Sequence, residues 1–229
     1  NFRNSKMKRK LFTKSAFKIA LECPRRLFYT YDSSLYANQE LNDDFLKSLA
    51  EGGFQVGELA KIYCGVTPET DIKTLDYDQA VEETKLLFER ENVTIAESAF
   101  RYGNLFVRAD ILEKRGNEIT LIEVKAKSWN PLKDSFVAKK GKATDGQIRP
   151  YLYDVAFQKY VIQNILGCNV RGYLMLINTN KPCDIDGLNA MVRINTKTQQ
   201  VDVSGLDRYT PSTNENDWLL LPCDMDVVC

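Results

Sequence analysis

The chain has 229 residues, 44% of them hydrophobic and 27% charged, with Lys plus Arg equal to Asp plus Glu at 31 each and no histidine. A chain of this size can bury one sizeable core, so residues 1–229 are expected to form a single domain with an N-terminal helical elaboration and a C-terminal extension. The missing histidine excludes Ser-His-Asp and Cys-His catalysis, the zincin His pair and nucleases built on a histidine base, which leaves carboxylates, lysine, cysteine, tyrosine or metal-bound water to move protons.

In chain order, Thr13 to Tyr31 predicts a helix that Pro24 splits in two, because an interior proline removes a backbone donor and clashes with the preceding turn. A second helix is expected from Asp44 to Tyr63, interrupted or restarted at Gly52-Gly53, and a third from Asp78 to Asn92. Val93 to Phe100, Asn104 to Lys114 and Glu118 to Ala126 read as strands joined by short turns. A basic loop through Lys139-Lys140-Gly141-Lys142 leads to a helix that starts near Arg149-Pro150 and stops at Gly167. Val170 to Asn178 follows as an apolar, buried type of strand. Apolar runs such as Gly172 to Ile177 are too short to cross a bilayer, so no membrane association is expected.

Charge distribution says more than the balanced sum. Nine basic residues lie between Asn1 and Thr30 against Glu22 alone, and seven lie between Lys125 and Arg149 against Asp134 and Asp145. A neutral protein can carry a basic face of this kind, suited to polyanions. The six cysteines form no CxxC pair, so reduced thiols in a cytoplasmic protein are the expectation.

Gly116-Asn117 is a two-residue hairpin signal, and it sets a register in which Leu112 meets Leu121, Asp110 meets Glu123 and Arg108 meets Lys125. Opposed like charges destabilise a strand pair, so Asp110 and Glu123 call for a proton or a cation between them, with a divalent metal as the natural candidate and a solvated acidic face as the alternative. With Tyr102-Gly103 as the other turn, Glu97 falls opposite Arg108 and reads as its cross-strand ion-pair partner. Lys125 lies two residues from Glu123 and shares its face.

Asp110, then Glu123-Val124-Lys125 on the next strand, then a helix and a strand, resembles the PD-(D/E)XK nuclease superfamily, in particular its RecB-type branch with the CRISPR-associated exonucleases and related bacterial proteins. Cys23-Pro24-Arg25-Arg26 before Leu27, Phe28, Tyr29 and Tyr31, Gly52-Gly53-Phe54-Gln55-Val56-Gly57-Glu58, and Asp154 to Tyr160 with its Gln158 are similar to further segments of that branch. The resemblance spans Thr13 to Asn178 and departs from the pattern at Ile162, where the branch often has tyrosine.

The resemblance implies an α/β fold, a restriction-endonuclease-like core with a mixed central sheet of a three-strand meander, a helix and a further strand, flanked by helices. It implies a deoxyribonuclease dependent on Mg²⁺ or Mn²⁺, with an exonuclease as the expected form, acting on DNA in repair, recombination or defence, where a helicase or another such protein would be a fitting partner. Asp110, Glu123 and the Val124 carbonyl would hold the metal, with Glu58 approaching from its helix, which suits the oxygen preference of Mg²⁺. Lys125 would orient or deprotonate the attacking water, and Gln158 would help to place that water, Lys125 or DNA. Without the resemblance Glu58 reads as a surface helix residue and Gln158 as a helix-to-sheet hydrogen bond. Some relatives bind an iron-sulfur cluster, but with Cys23, Cys223 and Cys229 present and Leu220 where a further cysteine would stand, a cluster is not expected here. A non-catalytic nucleic-acid-binding module and a scaffold with a solvated acidic cluster remain the competing readings.

Overall fold

The computed structural model describes residues 11–31, 44–137, 148–194 and 201–226. Strand β1 (Phe12–Thr13) runs into helices α1 (Lys14–Glu22) and α2 (Pro24–Tyr31), followed by α3 (Asp44–Tyr63) and α4 (Tyr77–Phe88). The meander β2 (Asn92–Tyr102), β3 (Leu105–Arg115) and β4 (Glu118–Trp129) leads through α5 (Arg149–Leu166) to β5 (Val170–Asn178). Short strands β6 (Arg193–Ile194) and β7 (Val201–Asp202) pair with each other, and β8 (Leu220–Asp224) closes the chain order. The result is an α/β architecture with a mixed sheet flanked by helices: β2, β3 and β4 are antiparallel neighbours, β4 and β5 are parallel, and β8 lies antiparallel on β5.

Two faces of the sheet are covered for reasons visible in the strand alternation. Ile119, Leu121, Leu174 and Leu176 pack with Leu152, Val155, Val161 and Ile162 of α5, while Ile122 and Met175 turn the other way, onto Leu59, Ala60 and Tyr63 of α3. Gly172 makes the close approach of α5 feasible, since a Cβ at that position would lie 2.8 Å from Val155 Cγ1. A third cluster joins α4 to β2 through Ala80, Val93, Ile95 and Ala99.

Several expectations are corrected in detail. Helix α3 passes through Gly52-Gly53 without a break; the glycine cost of roughly 1 kcal/mol per position is outweighed by burial of Leu59, Ala60 and Tyr63 at the far end. Helix α4 ends at Phe88, leaving Asn92 to open β2. The first hairpin turns at Gly103-Asn104, with Gly103 at φ +61°, so Ala99 and not Glu97 aligns with Arg108. The C-terminal extension contributes β8 to the sheet. Its Pro222 is tolerated on a strand whose other edge has no partner among the described residues. The split at Pro24 and the helix stop at Gly167, in left-handed conformation, are as the sequence predicts. The loop through Lys139, Lys140 and Lys142 lies outside the described residues, as do Cys229 and the basic residues up to Lys10.

Candidate active site

The site is made by a fork in the sheet. β2 occupies one edge of β3 from Leu105 to Arg115, while on the other edge β4 pairs only from Ile111↔Ile122 to Arg115↔Glu118. Beyond Ile122 β4 leaves β3 and stays with β5, where a bulge interrupts the ladder between Lys125 and Ser128. Neither Asp110 and Glu123 nor Arg108 and Lys125 are therefore ladder partners, which corrects the expected register from Asp110 onward. The vacated edge of β3 is taken at Leu105 and Phe106 by β1, and α1 starts at the next residue, so Lys14 enters the fork directly.

Asp110 and Glu123 stand at the parting point. Asp110 Oδ2 accepts the Val124 N–H at 2.7 Å, a side chain taking over where the β3–β4 ladder ends. What Val124 brings to Asp110 is thus its amide donor. Glu123 points to the α5 side, as Ile119 and Leu121 do, and its side chain is 0% exposed. Between the acids sits an ammonium: Lys14 Nζ lies 2.8 and 2.9 Å from the two Glu123 oxygens and 3.8 Å from Asp110 Oδ1. Lys125 Nζ donates to Glu123 Oε1 at 2.5 Å, and Gln158 Nε2 donates to Glu123 Oε2 at 2.6 Å. The two carboxylates come together just past the end of the β3–β4 ladder with a lysine as the cation between them, and Lys125 reaches the same Glu123.

The sequence reading passed over Asp154. It is fully buried on α5, one turn before Gln158, and its Oδ2 receives Lys18 at 3.3 Å and Lys125 at 3.4 Å. Its i, i+4 spacing to Gln158 on the apolar face of α5 was the available signal. Lys14 and Lys18 are themselves one turn apart, and Phe17 between them stacks on Phe157 at 4.7 Å, which fixes α1 to α5. Among the described residues, two buried oxygens in this group, Asp154 Oδ1 and Gln158 Oε1, have no hydrogen-bond partner.

Electrostatics separate the two acids. Burial, then the charge of Glu123, pushes the Asp110 carboxyl up to about 6, against Lys14 and Lys125. Burial also presses Glu123 upward, but the charges of Lys14 and Lys125 and their hydrogen bonds outweigh it and hold that carboxyl down at about 2. Lys125 is raised despite its burial, by Glu123 and by Asp110 against Lys14, so it is an ammonium and a donor, not a free base. Lys14 is likewise raised, burial being outweighed by Asp110 and Glu123.

Glu97 adjoins the site from β2. It holds the position opposite Asp110, since Ala96 pairs with Ile111 and Ser98 with Ala109, and its φ of +56° is a strained value for a side chain of this size. Burial and the neighbouring Asp110 push its carboxyl up to about 7. Arg108 Nη1 is 3.9 Å from Glu97 Oε2, so the expected ion pair exists across a shifted register. Glu58 belongs to α3, whose packed residues meet the opposite face of the sheet, and it accepts from Lys61, which also binds Asp71. Among the described residues no three Asp, Glu, Cys or His side chains gather closely enough to hold a metal, so Glu58 does not complete a cluster with Asp110 and Glu123. Cys23 at the end of α1 and Cys223 in β8 carry free thiols.

Compared with known proteins, the chain matches no family model and no curated sequence significantly. The chemistry of the fork must then stand on its own residues. Lys14 acts as a stand-in cation between the carboxylates of Asp110 and Glu123, and a pair of hard oxygen donors around a seat for positive charge is of the kind that Mg²⁺ or Mn²⁺ takes. No helix among the described residues is long and apolar enough to span a membrane.

Proposed function

We propose that this chain is a metal-dependent nuclease that hydrolyses DNA phosphodiester bonds. The observation that carries the reading is the convergence of Asp110 and Glu123 on one cation, with Lys125 and Gln158 bonded to the same Glu123. That set matches the residues by which the sequence resembles the PD-(D/E)XK superfamily, and the order of meander, helix and parallel strand is the arrangement such a core would have.

Asp110 and Glu123 would hold the divalent ion, which supplies charge neutralisation at the phosphate and acidifies a bound water. Lys125, kept charged, donates toward the oxygen on which negative charge grows, a role that a fixed donor in a water-poor site performs well. Gln158 and Asp154 hold Glu123 and Lys125 in place from the rigid helix α5. Helix α2, on which no residue is buried, continues from α1 with Arg25, Arg26, Phe28 and Tyr29 exposed. Cations for phosphates and rings for bases are the features of a surface that tracks a nucleic-acid strand.

A second reading has one specific observation in its favour. Lys14 neutralises the acids already, so the network could serve to clamp α1 and α5 onto the sheet in a non-catalytic DNA-binding or scaffold protein. End-labelled linear and closed circular DNA, incubated with and without Mn²⁺, separates the two. Cleavage that needs Mn²⁺ and disappears in Asp110→Asn and Glu123→Gln is expected, and its absence from the wild type would leave the clamp.

A further inference from the structure

Lys14 occupies the first position of α1, directly after the capping Thr13, and no acid stands in that first turn. A cation there opposes the helix macrodipole, so the helix gives Lys14 no reason to be where it is. Glu123 in turn does not depend on Lys14 to be satisfied, since Lys125 and Gln158 already donate one to each of its oxygens. The surrounding group still has surplus acceptors, because Asp154 Oδ1 and Gln158 Oε1 are buried without partners among the described residues. A buried oxygen without a donor costs free energy, and so the group around Glu123 is short of donors even with Lys14 in it.

We propose that Lys14 sits in the seat of the divalent cation and is displaced from it when the ion binds, so that this residue sets how tightly the site holds metal. The inference rests on the metal-dependent nuclease reading. The displacement needs only rotation of a four-carbon stem whose side chain is 22% exposed, while α1 stays anchored by Phe17 on Phe157 and by Lys18 on Asp154. Metal and ammonium then compete for the same Glu123 oxygens, and the affinity of the site is the difference between them.

The test is direct binding of Mn²⁺, read as loss of the free-ion paramagnetic resonance signal, to the wild type, Lys14→Met, Lys14→Gln, Lys14→Arg and Glu123→Gln, with no DNA present. Lys14→Met should bind Mn²⁺ roughly tenfold more tightly than the wild type, the scale of one charge-assisted hydrogen bond. Lys14→Gln, which keeps a donor toward Glu123 but no charge, should tighten likewise and serves if the Met variant melts; Lys14→Arg should stay near the wild type. Unchanged or weaker binding in both neutral variants, with Glu123→Gln losing the ion, would overturn the proposal and leave the metal site standing. No Mn²⁺ bound by any of the five proteins would overturn the nuclease reading along with it.

Discussion

Gln158 Nε2 donates to Glu123 Oε2 at 2.6 Å, while Gln158 Oε1 is buried with no donor among the described residues. The side chain is thus held by its nitrogen end, which also bonds the Asp154 carbonyl at 3.0 Å, so its hydrogen bonds act through Glu123 and its own helix. A hydrogen bond to a buried charged group contributes about 1.5–3 kcal/mol. Gln158→Leu is therefore expected to lower the unfolding free energy by about that amount, less a small return from deleting the unpartnered oxygen. Urea denaturation checks this, and an unchanged midpoint would mean that the contact does not form in solution.

The two acids should respond unequally to deletion. Glu123→Ala leaves the Lys14 and Lys125 ammonium groups facing each other over an empty carboxylate site, and breaking a buried pair in this way costs about 3–5 kcal/mol, the lower end applying because both lysines keep some exposure. Asp110→Ala loses the bond to the Val124 N–H and a looser ion pair in a side chain that is 30% exposed, for a cost of about 1 kcal/mol. The repulsion that the bare sequence predicts between Asp110 and Glu123 is offset only in part by Lys14, since Glu123 still raises the Asp110 carboxyl, and its relief makes the loss in Asp110→Ala smaller. Thermal melts of the two variants would show the asymmetry; equal losses would contradict the fork geometry. Both variants should lose any Mn²⁺-induced rise in melting temperature.

How far the sequence discloses this site depends on distance along the chain. The Gly116-Asn117 turn fixes the neighbouring register through the first few pairs, and that is enough to place Asp110, Glu123 and Lys125 on one side. The fork beyond Ile122 is not legible, because it arises where β1, some hundred residues away in the chain, takes the edge that β4 gives up. Lys14 looks like every other cation of the basic N-terminal stretch, and only that tertiary event aims it at Glu123. The first hairpin pairs Ala99 and not Glu97 with Arg108 because Tyr102-Gly103 and Gly103-Asn104 both satisfy the local turn chemistry, and the sequence alone does not choose between them. Asp154 was legible in principle as a polar residue among the apolar positions of α5. Strand β8 was hidden by Pro222 and by a length too short to show alternation.

Packing of α5 on β5 predicts a different kind of failure. Gly172→Ala would put a Cβ 2.8 Å from Val155 Cγ1, and a β-branched residue in a helix has little rotamer freedom with which to move away. Overpacking of this kind costs about 1–3 kcal/mol. The double variant Gly172→Ala with Val155→Ala should recover part of the loss, so a cycle of denaturation measurements in which the two effects merely add would refute the contact.

Cys64 gives a pH dependence remote from the fork. Burial, with Glu113 and Glu215 nearby, pushes its thiol up to about 12, and burial also raises its neighbour Tyr63, whose hydroxyl shares a 2.6 Å hydrogen bond with Tyr209. An acid with a raised folded pKa contributes stability that is complete below its unfolded value, about 8.5 for a thiol, and that drains away as pH climbs toward the folded value. The urea midpoint should accordingly fall between about pH 8.5 and 11 in the wild type and fall less in Cys64→Ala. At pH 8 iodoacetamide should label the exposed Cys23, Cys168 and Cys183 first and Cys64 last; rapid labelling of Cys64 would show the burial to be wrong.

Lys125 carries the sharpest functional expectation. Its ammonium lies 2.5 Å from Glu123 Oε1 and 3.4 Å from Asp154 Oδ2, a pair of anions that holds it charged and aimed across the mouth of the fork. A group so placed stabilises developing negative charge as a donor, and removal of one such donor costs about 10²–10³ in rate. Lys125→Met keeps much of the stem, Lys14 and Gln158 continue to satisfy Glu123, and Lys18 continues to pair with Asp154, so the fold should survive the loss of two ion pairs. Single-turnover cleavage at saturating DNA and Mn²⁺ isolates the chemical step from binding, and there the Met variant should be slower by about 10²–10³ while its affinity for DNA is little changed. Lys125→Arg should recover only part of the rate, because the guanidinium is broader than the ammonium it replaces and cannot lie as close to both Glu123 and Asp154. A Met variant within a few-fold of wild type would make Lys125 a structural clamp between β4 and α5, and the proposed nuclease would then have to use another cation at the scissile phosphate.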